Sequence, residues 1–95
     1  MNRITMRDLE ATVRRINDLA GTPHTCWVKT ENVNRPFTAN IGCYHLSGAY
    51  GGYSLVQMVN DGGGERTIIG GHMPKRELYE RMHAFIRGLE TNRSA

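Results

Sequence analysis

Apolar side chains recur at two different periods along this chain, and the switch between them restricts the fold more than any other feature. Near the N-terminus Leu9, Val13, Ile16 and Ala20, with Met6 and Leu19 beside them, fall at helical spacing and make one stripe. From Thr25 onward the pattern turns to alternation: Phe37, Ala39, Ile41 and Cys43 interleave with Thr38, Asn40, Gly42 and Tyr44. Helical spacing returns in Leu78, Met82, Phe85 and Leu89, with Ile86 widening the stripe. The order predicts an α+β domain with an N-terminal helix, an antiparallel sheet of three to four strands and a C-terminal helix. Both helices are expected on one sheet face, leaving the other free for a ligand or a second subunit.

Local signals set the boundaries. Thr5 is a good N-cap with Asp8 completing a capping box, Ile4 and Leu9 are spaced as a hydrophobic staple, and Gly21 with Pro23 stops the helix. Strands are expected at Thr25 to Thr30, Phe37 to Leu46, Tyr53 to Asn60 and Glu65 to Ile69. The third carries apolar side chains on both faces, as a central strand or one at a subunit interface would. Pro74 suits the first turn of the second helix, which is expected to reach Leu89. Residues 1–95 then form a single domain, ordered over 4–90, with 91–95 a frayed tail.

The formal charge is +3, which leans toward an anionic partner. No apolar run approaches the roughly 20 residues that span a bilayer, and Met1-Asn-Arg-Ile-Thr5 lacks the apolar core of a signal peptide. Cys26 and Cys43 read as free thiols in a reducing compartment, so the expected location is cytoplasmic. Neither G-x-x-x-x-G-K-[ST] nor G-x-G-x-x-G occurs, and the aspartates, Asp8, Asp18 and Asp61, do not form a metal-binding set. The chain is therefore read as a non-enzyme, with no catalytic residues and no cofactor.

Glycines cluster at Gly51-Gly52, Gly62-Gly63-Gly64 and Gly70-Gly71, where a chain turns sharply or lets another group approach its amides. Behind the last pair, Lys75 and Arg76 occupy the first turn of the second helix, where the positive end of the helix dipole disfavours cations. A bound anion reverses that sign, since amides, dipole and cations then converge on one negative group. Gly71, His72, Lys75 and Arg76 are thus the candidates for an anion, with Arg66 in reserve. Tyr44, Tyr50, Gly51, Gly52 and Tyr53 are the candidates for a flat portion of the ligand, held by stacking, with Trp27 within possible reach. His24-x-Cys26 and Cys43-x-His45 offer Cys and His at strand spacing, but the pattern matches no usual zinc site.

Ala39-Asn-Ile-Gly-Cys-Tyr-His-Leu46, Ala49-Tyr-Gly-Gly52, Asn60-Asp-Gly-Gly-Gly64 and Pro74-Lys-Arg-Glu-Leu-Tyr79 resemble small proteins of unassigned function common in tailed-phage and prophage genomes. The resemblance implies a phage origin and a bacterial host cytoplasm, and no catalytic residues. By size, basicity and its glycine-aromatic-cation surface the chain is also similar in type to phage anti-defence sponges. These are homo-oligomers that sequester immune signals such as cyclic nucleotides or ADP-ribose derivatives. The leading expectation is a sponge for a small anionic nucleotide-like ligand. Two alternatives accompany it: an anti-CRISPR-like inhibitor that docks on a host defence protein, and a nucleic-acid module resembling double-stranded-RNA-binding domains, although Glu31-Asn-Val-Asn-Arg-Pro36 lacks their Gly-Pro-x-His loop.

Overall fold

The computed structural model describes residues 3–94. Helix α1 (Met6–Ala20) is followed by strands β1 (Trp27–Lys29), β2 (Phe37–Ala39), β3 (Tyr44–Ala49), β4 (Gly52–Met58) and β5 (Glu65–Met73), then helix α2 (Lys75–Ser94). The fold is α+β, as the change of period predicts.

Helix α1 starts and stops for the reasons its sequence gives. The Asp8 amide donates to the Thr5 hydroxyl and the Thr5 amide donates to the Asp8 carboxylate at 2.8 Å, closing the capping box. At the other end Gly21 takes a left-handed conformation, φ 73°, and Thr22 donates back to the Asn17 carbonyl at 2.9 Å. Helix α2 continues through Ser94, beyond the Leu89 end expected, so helical backbone occupies much of the anticipated tail; Ala95 lies outside the described residues.

The strands form two sheets rather than one: a ribbon of β1 and β2, and a three-stranded antiparallel sheet ordered β3-β4-β5. The alternation from Phe37 to Leu46 predicts one strand, but the chain turns at residues 40–43, where Gly42 has φ 93° and the Asn40 side chain donates to the Thr25 carbonyl at 2.6 Å. Hydrophobic period cannot see such a turn. Apolar side chains resume on either side of it, while the face they point to is reset.

Both helices cover one face of the larger sheet. Leu9, Val13 and Ile16 from α1 and Leu78, Met82 and Ile86 from α2 meet Tyr44, Leu55 and Met73 in one buried cluster. Each fully buried aliphatic side chain here contributes roughly 1.5–3 kcal/mol against the entropy of ordering the chain. Central β4 is buried along most of its length, in keeping with its apolar character on both sides. A smaller cluster of Ala39, Cys43 and Met58, with Cys26 against it, joins the ribbon to the sheet.

The two cysteines in this joint correct the sequence reading. Cys26 and Cys43 form a disulfide, and among the described residues no cysteine is free. The premise for a reducing compartment is thereby removed, because disulfides persist mainly in oxidising ones. Asn17, buried on the apolar stripe, behaves as a strand partner: its amide donates to the Tyr44 carbonyl at 3.1 Å and its oxygen accepts from the Tyr44 amide at 2.9 Å. One helical residue thus satisfies the outer edge of β3 where another strand would otherwise pair.

Candidate functional site

The turn between β3 and β4 is the shortest antiparallel connection. Ala49 pairs with Gly52, and the two residues between them, Tyr50 (φ 54°) and Gly51 (φ 75°), are both left-handed, the backbone that matches the twist of the flanking strands. Gly51 fits such a position and tyrosine does not. At the far end of β5, His72 is left-handed as well, φ 40°, next to Gly71 at φ 105°. Strained non-glycine backbone of this kind costs of order 1–3 kcal/mol per residue and clusters at functional sites. Here the two strained residues are neighbours, with the Tyr50 and His72 rings edge to face at 5.9 Å. Gly52 explains their closeness, since a Cβ there would overlap the His72 carbonyl.

Met73 pairs with Tyr53, so the last residues of β5 deliver the start of α2 to the same end of the sheet. Lys75, Arg76, Tyr53 and Gly51 line a solvent-open hollow of about 500 Å³ together with Arg3, Ile4 and Pro74. The Lys75 ammonium stands 5.7 Å from the centre of the Tyr53 ring, a cation held over an aromatic face. Among the described residues, three cationic side chains and no acidic one line the hollow. Glu77, the acidic residue of the first α2 turn, is drawn off to Arg81, 3.2 Å away. Pro74 offers no side-chain acceptor to the first amides of α2, unlike Thr5 before α1.

Of the residues read from sequence, Gly51, Tyr53, Lys75 and Arg76 are brought together in this hollow, while Tyr50, Gly52, Gly71 and His72 lie at the same end of the sheet but do not line it. Two are placed elsewhere. Tyr44 is buried in the core with its ring against Phe85 at 5.8 Å, because the turn at residues 40–43 resets the alternation and points it at the helices. Arg66 lies at the opposite end of β4, paired with Gln57 and donating to that side chain at 2.9 Å. Trp27 is at that opposite end too. Its ring rests on Gly63, so part of the second glycine cluster seats an aromatic side chain.

Arg3 and Ile4 are lining residues that sequence reasoning missed. The staple of Ile4 on Leu9 fixes how the chain enters α1, but only the packing of α1 on α2 shows that both helices start at this end.

A second open hollow, about 470 Å³, lies between α1 and β3, with Glu10, Arg14, His24, His45 and Cys26 among its lining residues. Its charges are of mixed sign. His24 is engaged with Asp18, and His45 Nε2 lies 2.7 Å from the Glu65 carboxylate but off the line of a hydrogen bond, so that contact is electrostatic. With its cysteines bonded to each other, the His24-x-Cys26 and Cys43-x-His45 set has no thiolate to offer a metal. Among the described residues no group of three or more His, Cys, Asp or Glu side chains is arranged to hold one.

In comparisons with known proteins, no family model, no curated protein and no solved structure matches this chain. The likeness to small phage proteins therefore stands on the quoted motifs alone. No helix among the described residues is long and apolar enough to cross a membrane.

Proposed function

We propose that this protein is a non-enzymatic binder that sequesters a small, anionic, nucleotide-like ligand in the hollow between the Tyr50-Gly51 turn and the start of α2. The observation that carries this reading is the one-signed lining: Arg3, Lys75 and Arg76 around the Tyr53 ring and the Gly51 backbone, with no carboxylate among them. Cations and helix-start amides suit phosphate, and the Tyr53 ring suits a base. The strain at Tyr50 and His72 supports the same location, since backbone held in costly conformations is retained where it serves a site.

The hollow is open on one side, whereas small-ligand sites bury most of their ligand. A second copy closing that side makes the working form a homo-oligomer. In the sponge reading the ligand is a host immune signal, a cyclic nucleotide or ADP-ribose derivative, and the site of action is the cytoplasm of a phage-infected bacterium. In that reducing setting the Cys26–Cys43 link is open, and the ribbon relies on its hydrogen bonds and the Ala39-Met58 contacts.

Calorimetry with a panel of cyclic dinucleotides and ADP-ribose isomers, with native mass spectrometry of the assembly, tests the proposal. One ligand class is expected to bind, and Lys75→Glu with Arg76→Glu to abolish that binding while leaving the fold intact. Silence across the panel, or affinity unchanged in the double variant, refutes it.

A further inference from the structure

The end of the molecule remote from the hollow carries a second surface, built on the ribbon. Of the large apolar side chains left exposed among the described residues, all but Tyr50, namely Trp27, Val28, Val33, Phe37, Ile41 and Val59, belong to the ribbon and the chain around it. Two are aromatic, Trp27 at 47% and Phe37 at 56% exposed, and the ladder puts both on one face. Trp27 pairs with Ala39 and Lys29 pairs with Phe37, so Trp27, Lys29 and Phe37 point the same way. The two aromatic rungs are two residues apart along the ribbon, about 7 Å.

The surface is held rigidly. The Trp27 ring lies on Gly63, where a Cβ would come within 2.6 Å of it. The Ala39 amide and Thr38 hydroxyl both donate to the Asp61 carbonyl, at 2.9 and 3.2 Å, which ties β2 to the same turn. Among the described residues neither ring makes an aromatic or cation contact, and Lys29 has no ion-pair partner.

We propose that this face is a stacking platform for single-stranded nucleic acid, with Trp27 and Phe37 each taking one base and Lys29, across the ladder from Phe37 and two residues along β1 from Trp27, taking a phosphate of the same strand. Charge decides the occupant. A cation beside two exposed rings on one face calls for a partner that is flat and anionic at alternating positions, which a single strand supplies. The spacing of about 7 Å is roughly twice the 3.4 Å step of stacked bases, so neighbouring bases separate and each lies on its own ring. The platform is independent of the hollow and stands if the hollow reading fails.

Trp27 is the only tryptophan, so its fluorescence reports on the face directly. Titrating the full chain with single-stranded oligothymidylate of about ten nucleotides should quench the emission, with binding weakened by added salt. Measured by anisotropy of labelled oligonucleotide, Phe37→Ala and Trp27→Ala are each expected to weaken binding about 5- to 150-fold, the loss of one stacked base. Lys29→Glu should weaken it and flatten the salt dependence. Lys75→Glu with Arg76→Glu should change nothing. The proposal is overturned by an absence of both quenching and anisotropy change, by equal affinity for duplex, by loss of binding in the Lys75/Arg76 variant, or by an emission shift that tracks protein concentration without oligonucleotide, which assigns the face to a second copy.

Discussion

Asn17→Ala isolates the contact that lets a helix finish a sheet. The side chain makes three hydrogen bonds: to the Tyr44 carbonyl at 3.1 Å, from the Tyr44 amide at 2.9 Å and from the Thr22 hydroxyl at 2.7 Å. Thr22 retains an alternative in the Asn17 carbonyl, and its loss is minor. Tyr44 has none, for it sits in the core at 7% exposure, and each of its two backbone groups left without a partner costs about 1–3 kcal/mol. A destabilisation of about 3 kcal/mol follows, a large share of the roughly 5–15 kcal/mol that holds a small domain together. For a chain of this size it lowers Tm by about 12–24 °C. Urea unfolding followed by circular dichroism measures it directly, as a lower midpoint at unchanged slope. Asn17→Asp adds a sign test. A carboxylate facing the Tyr44 carbonyl is repelled, so its folded-state pKa rises above the unfolded value. The variant's stability relative to the parent is therefore greatest below about pH 4 and falls as pH rises through the folded value. A change below about 1 kcal/mol in Asn17→Ala would refute the claim that this residue closes the edge of β3.

The remaining predictions concern the joint and the turns. Replacing Cys26 and Cys43 with serine, or reducing the bond with dithiothreitol, opens a link spanning 17 residues and should cost about 3 kcal/mol, with proteolysis between residues 30 and 36 rising first. Tyr50→Asn puts a residue that tolerates left-handed backbone into the turn; it should raise stability by about 1 kcal/mol in thermal unfolding while weakening ligand binding. Gly63→Ala should lift the Trp27 ring from its seat and shift its emission to the red without unfolding the sheet. Arg66→Glu, at the far end of β4, should leave affinity at the hollow within about twofold, checked by calorimetry.

Much of this architecture is legible where the determinants are local. Thr5 and Asp8 announce the start of α1 because a capping box needs only residues three apart, and Gly21 ends it by backbone geometry alone. The stripe on α2 names its own buried residues, Leu78, Met82 and Ile86. What escapes is set at long range. The role of Asn17 depends on Tyr44, 27 residues further along the chain, so no local signal marks it. The turn at residues 40–43 hides inside an unbroken alternation, and with it the disulfide and the burial of Tyr44. The hollow divides in the same way. Gly51, Tyr53, Lys75 and Arg76 follow from glycine turns and a broken dipole rule, whereas Arg3 and Ile4 join them only through the packing of one helix on the other.

Amide chemical shifts read the hollow residue by residue. With isotopically labelled protein titrated with the ligand that the calorimetric panel selects, or with inorganic phosphate as the minimal anion, saturable shifts are predicted at Gly51, Tyr53, Lys75 and Arg76, with smaller ones at His72. Silence at these five, or shifts centred on the Glu10, His24 and His45 hollow, would contradict the account.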